Sequence, residues 1–149
     1  MKKKRLNQKG EFGVFRLLIG AVLGLALLLV VLSIIADVEE QKYRISALHF
    51  SDGFSSAINL PNGTPVQQED LFFKQGEVFT DSALAKKFNF EDETCILFFT
   101  DHSGVSVSAD QHIARIIHPV HTDVFFDCKN IGACRPHCRV SFGKELPIR

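Results

Sequence analysis

Residues Leu17 to Ala36 read LLIGAVLGLALLLVVLSIIA. The stretch contains no charged residue, and Ser33 carries its one polar side chain. At a rise of about 1.5 Å per residue, a helix of this length extends roughly 30 Å, which is the hydrocarbon thickness of a bilayer. A helix packed into a soluble core usually keeps a polar face, and this one has none. The stretch therefore predicts a single membrane-spanning helix in contact with lipid.

The charges on either side of this helix predict its orientation. Five basic residues and no acidic one occur between Met1 and Lys9, whereas the helix is followed by the acidic run Asp37-Val-Glu-Glu40. Because Lys and Arg concentrate on the cytoplasmic side of membrane helices, we expect a cytoplasmic N-terminus and an extracytoplasmic chain from about residue 37. The basic cluster adjoins a membrane segment, so it indicates topology, and we expect no nucleic-acid partner.

A cleaved secretory signal is the competing interpretation of the apolar stretch. Such a signal has an apolar core of about 7–15 residues and a small-residue cleavage site. The present stretch is longer, and its only candidate site, Ile34-Ile-Ala36, fits that pattern poorly. A retained helix in the cell membrane is therefore the prediction. Within it, Gly20 and Gly24 form a small-xxx-small pair, which favours helix association but is also common in membrane helices generally.

The junction Lys9-Gly10-Glu11, followed by an apolar helix, resembles the N-terminus of type IV pilin-like proteins, especially archaeal ones with class III signal peptides. The resemblance covers about residues 5–45. It implies that a prepilin-type membrane peptidase cleaves after Gly10, so that the mature chain begins at Glu11. It also implies other pilin-like subunits as partners of the N-terminal helix.

One position departs from the pattern of that family. Pilins usually have an acidic residue about five positions after the cut, where this chain has Phe15, Arg16 and Leu17. The resemblance therefore implies a minor subunit rather than a major, filament-forming one. The alternative is an uncleaved single-pass membrane protein whose outer domain binds a ligand or a protein partner.

The sequence divides into three parts: a basic leader over residues 1–10, a membrane helix and stem over 11–48, and an extracytoplasmic head over 49–149. Val38, Ile45 and Leu48 fall near helical spacing, so we expect the helix to leave the membrane and to pack this stripe on the head. The motifs Ser51-Asp-Gly53 and Pro61-Asn-Gly63 predict turns. We expect an α+β fold with a small, mainly antiparallel sheet and a core rich in Phe, which occurs 14 times.

Local patterns predict the elements of the head. Asp70–Lys74 forms a short strand, and Thr80-Asp-Ser82 provides caps for a helix over Ala83–Phe88. The unbroken apolar run Cys95–Thr100 predicts a central buried strand. Further strands are expected around four apolar segments: Val105 and Val107, Ile113–Ile117, Val124–Phe126, and Val140 with Phe142.

All four cysteines, Cys95, Cys128, Cys134 and Cys138, lie beyond the membrane helix, in a space where disulfides persist. Four cysteines allow three pairings; the short spacing of Cys128 and Cys134 favours a local loop, with Cys95 joined to Cys138. A bond between Cys128 and Cys138 is less favoured, because it would leave Cys134 as a free thiol. A zinc site that includes His137 is the alternative. Its spacing does not match a paired C-x-x-C motif, so no metal is expected.

The remaining motifs do not predict catalysis. Six histidines occur between His49 and His137, but no nucleophile elbow, P-loop, dinucleotide-binding glycine run or H-E-x-x-H sequence accompanies them. We therefore expect neither enzymatic activity nor a cofactor. Asn62-Gly-Thr64 is a possible glycosylation sequon on the outer side, and the neighbouring Pro65 disfavours its use.

Overall fold

The computed structural model describes residues 9–60 and 64–146, with side chains described from residue 13 onward. The leader before Lys9 and the sequon residue Asn62 lie outside the described residues. The chain separates into two compact units, with the boundary between Glu40 and Gln41.

One long helix, α1, runs from Lys9 to Asn59. Its apolar segment has a mean hydropathy of 3.0, and by length and composition it is able to cross a membrane. The large apolar side chains of this segment are exposed rather than packed against protein, and Leu17 is 76% exposed. This composition suits a membrane anchor, since exposed apolar surface of this extent needs an apolar surrounding.

The helix does not end at the predicted turn Ser51-Asp-Gly53 but continues through it. Phe50, Phe54 and Ala57 lie on one face of its last turns and are buried in the core of the head. Gly53 lies on the same face, where a Cβ atom would come within 2.5 Å of the Gln68 side chain. The glycine therefore allows close packing inside a helix, and its reading as a breaker was wrong.

The predicted packing stripe of α1 was also wrong. Ile45 and Leu48, in the unit that begins at Gln41, are each more than half exposed, and Val38 lies in the other unit. The helix packs instead through the Phe50 face, together with Ser46, whose Oγ accepts a hydrogen bond from the Phe72 amide at 2.8 Å. Periodicity alone could not distinguish these two faces, because both carry apolar residues at helical spacing.

In its described residues the head contains seven strands, a second α-helix and a short 3-10 helix at Glu93–Cys95. The strands are β1 (Val66–Phe73), β2 (Val78–Thr80), β3 (Ile96–Thr100), β4 (Val105–Val107), β5 (Ile113–Ile116), β6 (Val120–Ile131) and β7 (Cys134–Phe142). Helix α2 spans Asp81–Phe88, and the Thr80 hydroxyl accepts from the Ala83 amide as its N-cap. The predicted cap and helix are thus confirmed.

The strands form two sheets rather than the single sheet expected. One has the order β1-β6-β7-β3 and the other the order β2-β5-β4. All pairs are antiparallel except β3 with β7, which are parallel. The α+β class and the mainly antiparallel arrangement are confirmed.

Strand β3 lies at the edge of its sheet, not at the centre as its apolar sequence suggested. Ile96 and Phe98 are fully buried in the core, while Leu97 and Phe99 are half-buried on the opposite face. A continuous apolar run indicates that both faces of a strand are covered by other parts of the protein. It does not indicate whether the strand is central or at the edge of its sheet.

The core between α1 and the sheets is rich in phenylalanine, as predicted. Its aromatic residues include Phe50, Phe54, Phe73, Phe98, Phe126 and Phe142. Their rings meet edge-to-face or stacked, for example Phe50 and Phe126 at 5.1 Å between centroids. Such pairs stabilise by about 0.5–1.5 kcal/mol beyond the burial of their area.

Candidate functional site: a polar cleft on the outer face of the sheet

The four-stranded sheet has an inner face that packs on the core and an outer face that carries polar side chains. Register places Phe98, Val140 and Phe126 side by side on the inner face, all fully buried. The next positions along each strand, Leu97, Arg139 and Asp127, are neighbours on the outer face. This alternation follows from the two-residue period of a strand.

A cleft of about 840 Å³ opens on this outer face along β3 and β7. Its floor is formed by Leu97 and Phe99 of β3 and by His137, Arg139 and Ser141 of β7. One wall is the segment between Val107 and Gln111, and the other is the segment Lys144–Leu146. Ligand sites in proteins commonly have volumes of about 300–1,000 Å³, so the cleft has the size of a small-molecule site.

The first wall is held in a fixed conformation at Gln111. This residue has φ 63°, a left-handed conformation that is uncommon outside glycine. Its amide donates to the Ser108 carbonyl at 2.9 Å, and its carbonyl accepts from the Phe98 amide at 2.8 Å. These bonds attach the turn to the edge of β3, which orders the wall next to the floor.

A buried ion pair lies beside the cleft. Asp127 is 3% exposed and contacts the Arg139 guanidinium through Oδ2, with the Lys129 ammonium 3.8 Å away. Asp127, Lys129, Ile131, His137 and Arg139 line a smaller recess of about 130 Å³. His137 and Arg139 therefore belong to both cavities.

One atom of this ion pair is incompletely satisfied. Asp127 Oδ1 is buried and accepts no hydrogen bond from any described residue. A buried carboxylate oxygen without a donor is costly, by about 1–3 kcal/mol or more for a charged group. The recess is wide enough to admit a water molecule or a ligand hydroxyl to this atom.

Burial lowers the pKa of His137 below its usual value of 6.5, and the positive charge of nearby Arg139 lowers it further. The Asp127 carboxylate acts in the opposite direction but with a smaller effect. His137 is consequently neutral at pH 7. A neutral imidazole has one donor and one acceptor nitrogen, so it offers hydrogen bonds of both kinds to the cleft.

The second wall follows the end of β7. Gly143 has φ 84°, and a Cβ atom there would lie 2.8 Å from the Asp101 carboxylate. The chain turns at this glycine and places Leu146 in a buried position while Lys144 and Glu145 remain exposed. The cleft thus has charges of both signs along its wall.

All four cysteines form disulfides, as predicted, but the favoured pairing of Cys128 with Cys134 and of Cys95 with Cys138 was wrong. Cys95 bonds Cys134, and Cys128 bonds Cys138. The register of the sheet explains this result, because Cys128 and Cys138 are directly opposite each other on β6 and β7. Cys134, at the start of β7, then joins the chain just before β3. The bonded sulfurs are not available as the thiolates that the zinc alternative required.

The residues predicted for processing and for helix association lie in α1. Lys9, Gly10 and Glu11 are helical in backbone, and their side chains are outside the described set. Gly20 and Gly24 are also helical, and a Cβ atom at either would meet nothing within 4 Å. Both glycines therefore leave open space on the helix surface. Asn62 has no described surroundings.

The histidines do not converge on one centre. His112 Nδ1 lies 2.8 Å from Asp81 Oδ2, His121 Nε2 lies 3.1 Å from Asp70 Oδ1, and His102 Nδ1 accepts from the Gly104 amide. Over residues 9–60 and 64–146, no group of three or more His, Cys, Asp or Glu side chains has an arrangement that would hold a metal. These three histidines therefore lie at separate places in the head, and His137 lies in the cleft.

Sequence reasoning missed most of the cleft. Of its lining residues it singled out only His137, and that for a different reason. The one available signal was the alternation in Arg135-Pro-His-Cys-Arg-Val-Ser141, where polar residues follow a period of two. The contribution of Gln111 could not be anticipated, because it depends on the turn that follows β4.

Comparisons of the chain with protein-family models, with curated proteins and with solved structures find no match.

Proposed function

We propose that the protein is a membrane-anchored, type IV pilin-like subunit of minor type, with a structural or adhesive rather than enzymatic role. In this proposal the N-terminus is cytoplasmic and the head is extracytoplasmic. A prepilin-type peptidase removes the leader after Gly10, and the N-terminal helix then associates with other pilin-like subunits.

The observation that carries the proposal is the composition of α1. A single helix supplies the exposed apolar segment Leu17–Ala36 and also the buried residues Phe50 and Phe54 of the head. Removal of the leader would leave this helix as the N-terminus of the mature chain. The arrangement agrees with what the Lys9-Gly10-Glu11 junction implies by resemblance.

The disulfides support an extracytoplasmic head. Both bonds lie in the unit that begins at Gln41, and all four cysteines of the chain take part. Disulfides of this kind persist in oxidising spaces and are rare in the cytosol. This placement agrees with the orientation expected from the basic leader and the acidic run after the helix.

Processing is tested by exchange of Gly10. The wild-type chain and a Gly10→Leu variant are expressed in cells with and without a prepilin-type peptidase, and their electrophoretic mobilities are compared. We expect peptidase-dependent shortening of the wild type only. Gly13→Leu is the matched control: Gly13 is also helical in backbone, a Cβ atom there would meet nothing within 4 Å, and the change should not affect cleavage. A wild-type chain that keeps its full length with the peptidase present would contradict the proposal.

The cleft favours a second candidate function, that of an uncleaved single-pass protein whose head binds a ligand. Its size, the wall held by Gln111 and the unpartnered acceptor Asp127 Oδ1 in the adjoining recess are features of binding sites. The Gly10 experiment separates the two candidates, since a ligand-binding head does not need the cut.

A further inference from the structure

We infer that the cleft on the outer face of the four-stranded sheet binds a neutral carbohydrate. The inference names the ligand class of the head, and it depends on the proposed function only in placing the head outside the cell. It does not depend on cleavage after Gly10.

The floor of the cleft is apolar along one strand and polar along the next. Leu97 and Phe99 on β3 are half-buried, and their register partners on β7 are Arg139 and Ser141. A sugar ring has an apolar face of C–H groups and a rim of hydroxyl groups. Such a ring matches a floor on which an aromatic side chain lies beside hydrogen-bonding side chains.

The polar groups of the cleft include both donors and acceptors. Gln111 and Ser141 have neutral side chains that donate and accept, and His137 in its neutral form does the same. Sugar hydroxyls likewise do both, whereas a carboxylate or a phosphodiester only accepts at neutral pH. The mixed set therefore fits hydroxyls better than it fits an anion.

The charges of the cleft also argue against a charged ligand. Lys144 and Glu145 stand next to each other on one wall, and Arg139 on the floor is paired with Asp127. The cleft and its recess together contain three positive side chains (Lys129, Arg139 and Lys144) and two negative ones (Asp127 and Glu145), so their net charge is small. Asp127 Oδ1 in the adjoining recess requires a donor, which a ligand hydroxyl supplies directly or through one water molecule.

The geometry is ordered before any ligand enters. The hydrogen bonds of Gln111 fix one wall, and the Asp127 carboxylate orients the Arg139 guanidinium. Side chains that are already held in place lose less conformational entropy on binding. The smaller entropy loss favours the binding of an uncharged ligand, which gains no affinity from the attraction of opposite charges.

The test uses the full-length chain in phosphatidylcholine nanodiscs, since sugar-based detergents would compete. The labelled protein is applied to an array of neutral and acidic oligosaccharides. We expect binding to a related set of neutral glycans, with competition by the same glycan in solution. A chain that binds no glycan on the array would overturn the inference. Binding confined to acidic glycans and lost at high salt would overturn it also, because it would identify an anion site.

A variant pair connects the binding to the cleft. Gln111→Gly removes a lining side chain, and glycine accepts φ 63° without strain, so the fold is preserved. We expect at least a tenfold loss of glycan binding. Asn89→Gly is the matched control, because Asn89 also has a left-handed φ of 57° but caps α2 away from the cleft. Equal glycan binding by both variants would show that the glycan binds another surface and would overturn the inference. Cleavage after Gly10 is measured separately, so this result would leave the proposed function unaffected.

Discussion

At the scale of single residues, Gly53 was predicted to form part of a turn but lies inside helix α1. Glycine usually lowers helix stability by about 1 kcal/mol relative to alanine, which is why the Ser51-Asp-Gly53 motif predicted a turn. In the folded chain the residue is buried within α1, against Gln68 and Phe126. The absence of a Cβ atom outweighs the propensity, since it allows the helix to approach β1 and β6.

We predict that Gly53→Ala destabilises the head although alanine is the better helix former. A Cβ atom would lie 2.8 Å from Phe126 Cε2, which is part of the core, so the cost is that of overpacking, about 1–3 kcal/mol. Urea unfolding measures it through the fluorescence of Tyr43, the only tyrosine in a chain without tryptophan. Ser56→Ala, an exposed change on the same helix, should be close to neutral. A stabilised Gly53→Ala variant would contradict the packing described.

His137 supplies a prediction about pH. Its pKa is lowered in the folded chain, so below pH 6.5 the unfolded chain binds more protons than the folded one. The free energy of unfolding therefore decreases as the pH falls below 6.5, and this contribution vanishes above that value. His137→Gln should reduce the decrease, and His118→Gln, at an exposed position, should keep the wild-type profile. If the free energy of unfolding falls equally with pH for wild type and His137→Gln, protonation of His137 does not destabilise the folded chain and the prediction is wrong.

Glu77 acts with the opposite sign. Burial raises the pKa of this carboxyl above 4.5, against the smaller effects of the Lys74 amide and ammonium. The folded chain then binds the extra proton, so stability decreases as the pH rises through the window above 4.5. Glu77→Gln keeps an acceptor for the Lys74 amide and removes the charge. We expect a gain in stability at pH 7, measured by the same urea unfolding, and no gain near pH 4.

At the scale of elements, sequence reasoning located most strands and helix α2 but not their arrangement. The N-cap at Thr80 and the alternating apolar residues of β4 and β5 depend only on neighbouring residues in the sequence, so they could be predicted. The edge position of β3, its parallel pairing and the split into two sheets depend on contacts between distant segments. No local pattern contains that information, and for the same reason the cleft, which lies between three such segments, was missed.

The disulfides give a prediction about two elements. In a chain-entropy estimate, a bond across 39 residues stabilises by about 4 kcal/mol and one across 10 residues by about 3 kcal/mol. Replacing Cys95 and Cys134 by Ser should therefore lower the free energy of unfolding somewhat more than replacing Cys128 and Cys138. Peptide mapping without reductant checks the pairing itself. Recovery of a Cys128–Cys134 peptide would contradict the register of β6 and β7.

At the scale of the whole molecule, the chain combines an apolar helix, a disulfide-bonded head and the N-terminal junction Lys9-Gly10-Glu11. The apolar helix and the α+β head were predictable from the sequence, because uniform apolarity and strand alternation are strong signals. The identity of a partner or ligand was not, since it depends on a surface that only the folded chain assembles. Within the pilin-like proposal, Arg16 is the residue that favours a minor subunit over a filament-forming one.

The most direct test of the central proposal is the intact mass of the chain purified from native membranes, measured with and without reductant. We expect a chain that begins at Glu11 and gains the mass of four hydrogens on reduction, since it contains two disulfides. A chain that still begins at Met1 would contradict the pilin-like proposal, and a mass unchanged by reductant would contradict the disulfide-bonded head.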